Sequence, residues 1–468
     1  MALLLTACSH AKKPTTTTLT GAGGPLVAAT DPNLVEMTAE PTTTLVLANA
    51  GSELGIRVRI IAHDLPAAKR PPLDLALVLD TSGSMEGPPI EALRASAREL
   101  ADKLRDGDHL SVVVFHSKSE VLVPNVAVSQ ANRKTIDRAI ANIHATGTTD
   151  LVGGLSLGLA QLNAGIMPNG INRIVLLSDG VPNSSIALPQ TVAMIRQAGV
   201  SVTSLGFGID YDTTLMTQIA RDTGGAFHYL EQADQVAKVF DAELVKMKSS
   251  VARNLQLEIE PGPGVTIAAM PGLAVGADGK LYAAIGDLPA GETRDLMIPI
   301  RVTARGEGST AELAQATLHF EDVIGKSGVR ERGAFVAVKA STNATAIAGA
   351  IKIDLEVARV RSAAAAAILQ ALTLARSGQI QPARQNLIAA TAIVKTAAKT
   401  YKDADLDQLV KQLEEIEQEI AQIVVLAAPQ NQYDTRRQQK QPATAASPAV
   451  ESNLRRVEDA ANATMRGE

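Results

Sequence analysis

Apolar side chains recur along the chain at spacings that change from segment to segment. Segments TTTLVLANA and GIRVRIIAHDL alternate apolar and polar residues, with Ile56, Val58 and Ile60 on one face, which predicts two antiparallel strands within 42–64. From Leu73 to about 248 strand and helix periods alternate. LDLALVLD, HLSVVVFH, VLVPNVAV, RIVLLSD, VSVTSLGFG and GAFHYL read as strands, the VLVPNVAV strand a short edge strand interrupted by Pro124. Helical patterns fill the intervals: one opened by Pro88 and Pro89 and carrying Ile90, Leu93, Leu100 and Leu104, then 130–144, 151–163, 187–198, 212–223 and 231–248. Such alternation predicts a doubly wound, mostly parallel sheet with helices on both faces.

From Asn254 to Lys339 the period is two throughout. LQLEIE, KLYAAIG, RDLMIPIRVTA and AELAQATLHFEDV are separated by the turn clusters PGPG, GADG, LPAGE and RGEGS, the pattern of a β-sandwich. The strands within 42–64 share this character, so the α/β unit is expected to be inserted into the sandwich. From Ala346 the sequence is Ala-rich and helical. Gly378 and Pro382 punctuate a hairpin, and Leu406, Leu409, Leu413, Ile416, Ile420 and Ile423 form an apolar seam. The expected division is 1–40 tether, 41–69 sandwich strands, 70–248 α/β domain, 249–342 sandwich, 343–428 helical bundle and 429–468 disordered tail.

Composition narrows the possible partners. Aromatics make up 2% of 468 residues, Trp is absent and the net charge is −5, so the chain has neither the stacking platforms nor the basic field of a nucleic-acid binder. The single cysteine, Cys8, excludes an intrachain disulfide and a cysteine zinc cluster. Leu5, Thr6, Ala7 and Cys8 resemble the lipobox of bacterial lipoproteins, in which the cysteine is lipidated after cleavage; the basic start and longer apolar core of a signal peptide are missing from the seven residues before it. No stretch reaches the roughly 18 consecutive apolar residues of a membrane span.

The candidate chemistry lies in LDLALVLDTSGSM, where a strand delivers Asp80, Ser82 and Ser84 to its carboxyl end. In an open α/β sheet the ligand crevice sits at the carboxyl ends of strands where strand order reverses, which brings Asp179, ending RIVLLSD, beside Asp80. The loop ATGTTDL adds Thr149. Asp80, Ser82, Ser84, Thr149 and Asp179 are all oxygen donors, a set that selects Mg²⁺, with Mn²⁺ or Ca²⁺ as substitutes, over zinc or copper.

DTSGSM, GTTDL and LLSDG, in this order, resemble the three loops of the metal-ion-dependent adhesion site (MIDAS) of von Willebrand factor type A domains. The resemblance runs through LGFGIDYD and IARDTGGAFHYL and covers about 70–248. It implies that the five oxygen residues form a complete metal site, in a layout similar to bacterial surface proteins whose domain of this kind interrupts a β-sandwich. The expected function is divalent-cation-dependent binding of a protein ligand, whose Asp or Glu completes the metal shell, by a lipoprotein anchored in the bacterial cell envelope through Cys8. The alternative is a cytoplasmic assembly factor working with an AAA-type ATPase.

Other polar residues carry less. Asp150 is either a partner of the metal site or a helix cap, and Asp210 and Asp212 read as caps of the next helix. His116 and His144 are read as surface or satisfied histidines. No general base is found near Asp80 and no strand-to-helix nucleophile elbow occurs, so the chain is expected not to be an enzyme.

Overall fold

The first elements are β1 (Val35–Pro41), β2 (Leu45–Leu47) and β3 (Gly51–Ala62). A computed structural model describes residues 34–64, 70–167, 169–207, 212–231, 235–268, 270, 273–325, 328–425 and 444–466. Strand β1 pairs antiparallel with β3 from Val35↔Ala62 to Pro41↔Ile56. Residues 35–40, expected to belong to the tether, form a strand instead: VEMTAEP reads as polar, yet every residue of it finds a ladder partner. The antiparallel pair expected within 42–64 also differs, because β2 leaves β3 for the opposite sheet.

After β3 the chain builds the α/β unit in the order β4 (Leu73–Asp80), α1 (Pro88–Lys103), β5 (His109–Phe115), β6 (Ser119–Ala127), α2 (Arg133–Ala141), α3 (Leu151–Gly165), β7 (Ile171–Ser178), α4 (Leu188–Gln197), β8 (Ser201–Phe207), α5 (Thr213–Asp222), β9 (Phe227–Leu230) and α6 (Gln235–Ser249). The sheet order is β6-β5-β4-β7-β8-β9. All pairings are parallel except β5 with β6. Every residue of β4 and β7 is buried, as expected of central strands covered on both faces. Leu73, Leu75, Leu77 and Leu79 enter one core, and Ala76 and Val78 the other. Edge strand β6 is longer than Pro124 suggested. The register shifts between Leu110↔Val126 and Val112↔Val123, so exposed Pro124 sits at a bulge where no ladder donor is needed.

Helix α6 runs directly into β10 (Ser250–Pro261), followed by β11 (Val265–Ile267), β12 (Ala274–Val275), β13 (Leu281–Pro289), β14 (Thr293–Thr303), β15 (Thr310–Asp322) and β16 (Gly328–Ser341). Two sheets, β1-β3-β14-β11 and β12-β13-β10-β15-β16-β2, enclose one core. Strand β3 pairs with β14 from Ile61↔Thr293 to Gly51↔Thr303, so strands on either side of the α/β unit in sequence are neighbours in space.

The remaining elements are α7 (Ala344–Gly349), α8 (Ile353–Arg376), α9 (Ile380–Tyr401), α10 (Ala404–Ala421), the short β17 (Val424–Val425) and β18 (Thr444–Ala445), and α11 (Pro448–Arg466). Helix α8 is long and apolar enough to cross a membrane, but Val360, Ala364, Ile368 and Leu372 lie in the core of the helical bundle. Helix α11 overturns the expectation of a disordered tail across 448–466. Its Leu454, Val457 and Ala461 are buried at helical spacing, and Glu458 takes two hydrogen bonds from Arg376, at 2.8 and 2.6 Å. These apolar residues are few and small among many charges, which is why the segment reads as solvated.

The α/β unit meets the sandwich backbone to backbone. Gly224 and Gly286 have φ of +70° and +86°, and a Cβ on Gly286 would stand 1.6 Å from the Gly224 carbonyl oxygen. Gly286→Ala is expected to cost about 3 kcal/mol or more, read by urea denaturation, and a change within 0.5 kcal/mol would refute this close docking.

Fully buried Asp74, at the start of β4, accepts a hydrogen bond from Asn125 Nδ2 at 2.8 Å, while its Oδ2 has no partner. Burial pushes its carboxyl up to about 6. The native state thus favours the protonated acid; that contribution is full below the ordinary carboxyl range and is lost as pH rises through about 6. Asp74→Asn should flatten the stability profile between pH 4 and 7 by on the order of 2 kcal/mol, measured by urea titration at each pH.

Candidate metal centre

The carboxyl ends of β4 and β7 are adjacent because the two strands pair in parallel from Leu73↔Ile171 to Leu79↔Leu177. The next residue of β4 is Asp80, and Asp179 follows the end of β7 at Ser178. Parallel neighbours joined through long crossovers leave their loops diverging to opposite faces, so a crevice opens between them. Residues 81–87, 144–150 and 179–187 line it, and three backbone hydrogen bonds stitch these loops together. Gly83 N donates to Gly147 O at 3.1 Å, Thr146 N to Thr81 O at 2.7 Å, and Asn183 N to Thr149 O at 2.9 Å. Gly147 is required in this arrangement: its φ is +73°, and a Cβ there would lie 2.4 Å from Ser117 Oγ.

All five oxygen residues singled out in the sequence enter this crevice. Ser82 N donates to Asp80 Oδ1 at 2.8 Å, the Oγ atoms of Ser82 and Ser84 are 3.0 Å apart, and Ser84 Oγ donates to Asp179 Oδ1 at 2.7 Å. Thr149 is located through Gly180. A Cβ placed on that glycine would be 3.0 Å from Thr149 Oγ1 and 3.7 Å from both Asp80 Oδ2 and Ser84 Oγ. Asp80, Ser82, Thr149 and Asp179 are buried, while Ser84 is exposed at the mouth.

The donor set fits a hard cation. Neighbouring ligands of an octahedral Mg²⁺ bound at about 2.1 Å stand about 3 Å apart, the separation of the Ser82, Ser84 and Asp179 oxygens. Two carboxylates and three hydroxyls could hold such an ion while keeping the bound negative charge low. Elsewhere, no group of three or more His, Cys, Asp or Glu able to hold a metal occurs among the described residues.

Ser178 was not singled out in the sequence. It donates to Asp80 Oδ2, and its Oγ also accepts from Gly180 N at 3.3 Å. Burial pushes the Asp80 carboxyl up, against the hydrogen bonds from Ser178 and Ser82 that favour the carboxylate. The one signal for Ser178 was its position directly before Asp179, and a serine ending a buried strand is common enough to pass unnoticed. Asn183 and Ser117 were missed as well: Asn183 Nδ2 donates to Thr148 Oγ1 at 2.8 Å, and Ser117 Oγ accepts from Thr148 N at 3.1 Å.

Asp150 resolves as a helix cap, accepting from Gly153 N at 3.2 Å and from Ser119 Oγ at 3.0 Å. Asp212 caps α5 through Leu215 N at 3.0 Å. Asp210 lies outside the described residues, as does Cys8. His144 is exposed and its ring contacts the Asn142 carbonyl at 3.1 Å; His116 is half-buried, and its carbonyl accepts from Asp150 N at 2.7 Å.

Comparison with known proteins agrees with this fold. The family model for the von Willebrand factor type A domain matches residues 74–242. An uncharacterized Escherichia coli protein, YfbK, is 29% identical over 214 residues, 44% of this chain and 37% of that one. An uncharacterized Synechocystis protein is 30% identical over 221 residues, 46% of this chain and 51% of that one. The matches thus span about a third to a half of these relatives' length. Among solved structures, a von Willebrand factor type A protein from Catenulispora acidiphila superposes with a TM-score of 0.67 at 16% identity, over 90% of this chain and 95% of that one. The ArnB paralog VWA2 from Sulfolobus acidocaldarius gives 0.54 at 16% identity, over 92% and 99%. At these identities the likeness is one of fold.

Ser178→Ala removes a hydroxyl from a buried carboxylate. In chelator at pH 7 it is expected to cost about 1–3 kcal/mol, and the cost should shrink toward acid pH as Asp80 takes up a proton and no longer needs the donor. Urea titrations of both proteins at pH 7 and pH 4 check this, and an equal cost at the two pH values would contradict it.

Proposed function

We propose that this chain, whose residues 74–242 are a von Willebrand factor type A domain and which thus carries a module that generally mediates protein–protein interaction, captures a protein ligand through a divalent cation. The observation that carries the reading is the meeting of Asp80, Ser82, Ser84, Thr149 and Asp179 at one crevice, with oxygen separations suited to Mg²⁺. When bound, the cation supplies an electron-poor coordination position that an acidic side chain of the partner can fill. The chain's own residues set the terms of that contact. Buried Asp80 and Asp179 provide the charge, the hydroxyls of Ser82, Ser84 and Thr149 add none, and exposed Ser84 marks the open side. Ile186, 93% exposed on the loop that follows Asp179, offers the partner an apolar contact beside the crevice.

The role is binding, without catalysis. The setting that suits it is the bacterial cell envelope, with the lipobox-like LTAC sequence anchoring the chain through a lipidated Cys8. A module anchored in this way would raise the local concentration of any captured partner at the envelope.

Saturating Mg²⁺, at a hundredfold over its Kd, should stabilise the full chain by about 2.7 kcal/mol, read as a rise in melting temperature. Asp80→Ala and Thr149→Val should each abolish the rise. Identical melting curves in Mg²⁺ and in chelator would sink the metal-dependent reading. The anchor is tested separately by expressing the chain and Cys8→Ser in a bacterial host and following membrane fractionation and the mass of the amino-terminal peptide. An unacylated Cys8 in a soluble chain would overturn the envelope assignment and favour a cytoplasmic role.

A further inference from the structure

Far from the metal crevice, the three parts of the molecule meet around a small cavity of about 30 Å³. Helix α5 of the α/β unit brings Thr217 and Arg221, one helical turn apart on the same face. Helix α11 brings Asn462 and Met465, and the sandwich supplies an apolar floor that includes Leu273 and Ile285. Three polar atoms at this junction have no hydrogen-bond partner among the described residues: Thr217 Oγ1, Arg221 Nε and Asn462 Nδ2. Thr217 and Asn462 are only 6% and 4% exposed, so water at the surface does not satisfy them. Leaving such groups unpaired is costly, and it is rare in a folded protein unless a water or an ion takes the bonds.

The sign of the missing partner follows from the donors. A guanidinium Nε and an amide Nδ2 only donate, and a hydroxyl can donate or accept, so the occupant must accept from Arg221 and Asn462 and can accept from Thr217 as well. The two arginines at the cavity differ in how closely a carboxylate compensates them. Arg294, which also lines the cavity, is paired with Glu292 at 2.6 Å, whereas Arg221 has Asp222 only at 3.8 Å. Burial pushes the Arg221 guanidinium down, against the nearby Asp222 carboxylate. The small volume and apolar floor restrict the occupant to a compact monoanion. We propose that the junction binds one small anion, a halide or the carboxylate of a short organic acid, held by Thr217, Arg221 and Asn462. Bound there, the anion bridges the α/β unit and the carboxyl-terminal helix and fixes how the two dock on the sandwich.

The test uses the full chain in a bulky sulfonate buffer at constant ionic strength, titrated with sodium chloride or with sodium acetate. One or both salts should raise the melting temperature saturably by about 2 °C or more. The isosteric Thr217→Val and, independently, Asn462→Leu should weaken the midpoint by about tenfold or more, since each removes a donor to a charged group. Both variants should be at least as stable as the parent without the anion, because each removes an unpaired buried polar group; a structural role for either side chain predicts the reverse. The response to Mg²⁺ should be unchanged in both. In crystals grown with sodium bromide, anomalous scattering should place bromide against Arg221 and Asn462. Superimposable melting curves in chloride, acetate and sulfonate, or an ordered water in the cavity with bromide present, would overturn the proposal.

Discussion

The parallel pairing of β4 with β7 is the constraint on which the candidate site rests. Seven consecutive pairs, Leu73↔Ile171 to Leu79↔Leu177, fix the register, and both strands are buried along their whole length. A slip of one residue would turn each leucine of β4 toward the opposite core, so the register is held by side chains on both faces. Because it is held, Asp80 and Asp179 emerge together although nearly a hundred residues separate them. The three backbone bonds among the loops then bring Thr149 over the same point.

The other end of β7 is tied to the rest of the molecule. Arg173 donates to Thr203 Oγ1 at 3.0 Å and to Asp287 Oδ2 of the sandwich at 2.6 Å, and it lies 3.4 Å from Glu243 of α6. Burial works to raise the Glu243 carboxyl, but His228, Arg173 and Lys246 outweigh it and hold the group well below the usual carboxylate range. A buried ionic cluster of this kind specifies geometry more than it adds stability, since desolvation offsets much of the attraction. Its members come from β7, β8, β9, α6 and β13, so the strand that leads into Asp179 is fixed relative to both the closing helix and the sandwich. The candidate crevice thus sits at the free end of a unit whose opposite end is clamped.

Much of this was legible in the sequence, and for identifiable reasons. The α/β unit announced itself because its central strands are continuous apolar runs and its helices have clean periods. The candidate residues could be named because a hard-cation site at a strand end needs short oxygen side chains in one turn, and DTSGS gains weight from the GTTDL and SDG loops that follow it in order. The misreadings fall where the pattern is weak. In β1 the strand is half polar, since much of it stays partly exposed. In β2 three residues gave no clue to which sheet they would join. In α11 the few buried apolar positions, Leu454, Val457 and Ala461, stand among buried polar and charged ones. Glu458 is buried because Arg376, 82 residues away in sequence, reaches it, and no local pattern contains that fact.

The sequence by itself determined the local elements, the order of the three loops and the chemical character of the crevice, because each depends on neighbouring residues or on the type of a single side chain. Only the tertiary structure decided the rest. It showed that Ser178 supports Asp80, that Asp150 caps α3, that the strands flanking the α/β unit pair with each other, and that Thr217, Arg221 and Asn462 meet at one cavity with no acceptor for their hydrogen bonds. These are relations between side chains distant in the chain or turned toward one of two available partners. They are set by how helices and sheets pack, which depends on the whole molecule at once and leaves no mark in any one stretch of it.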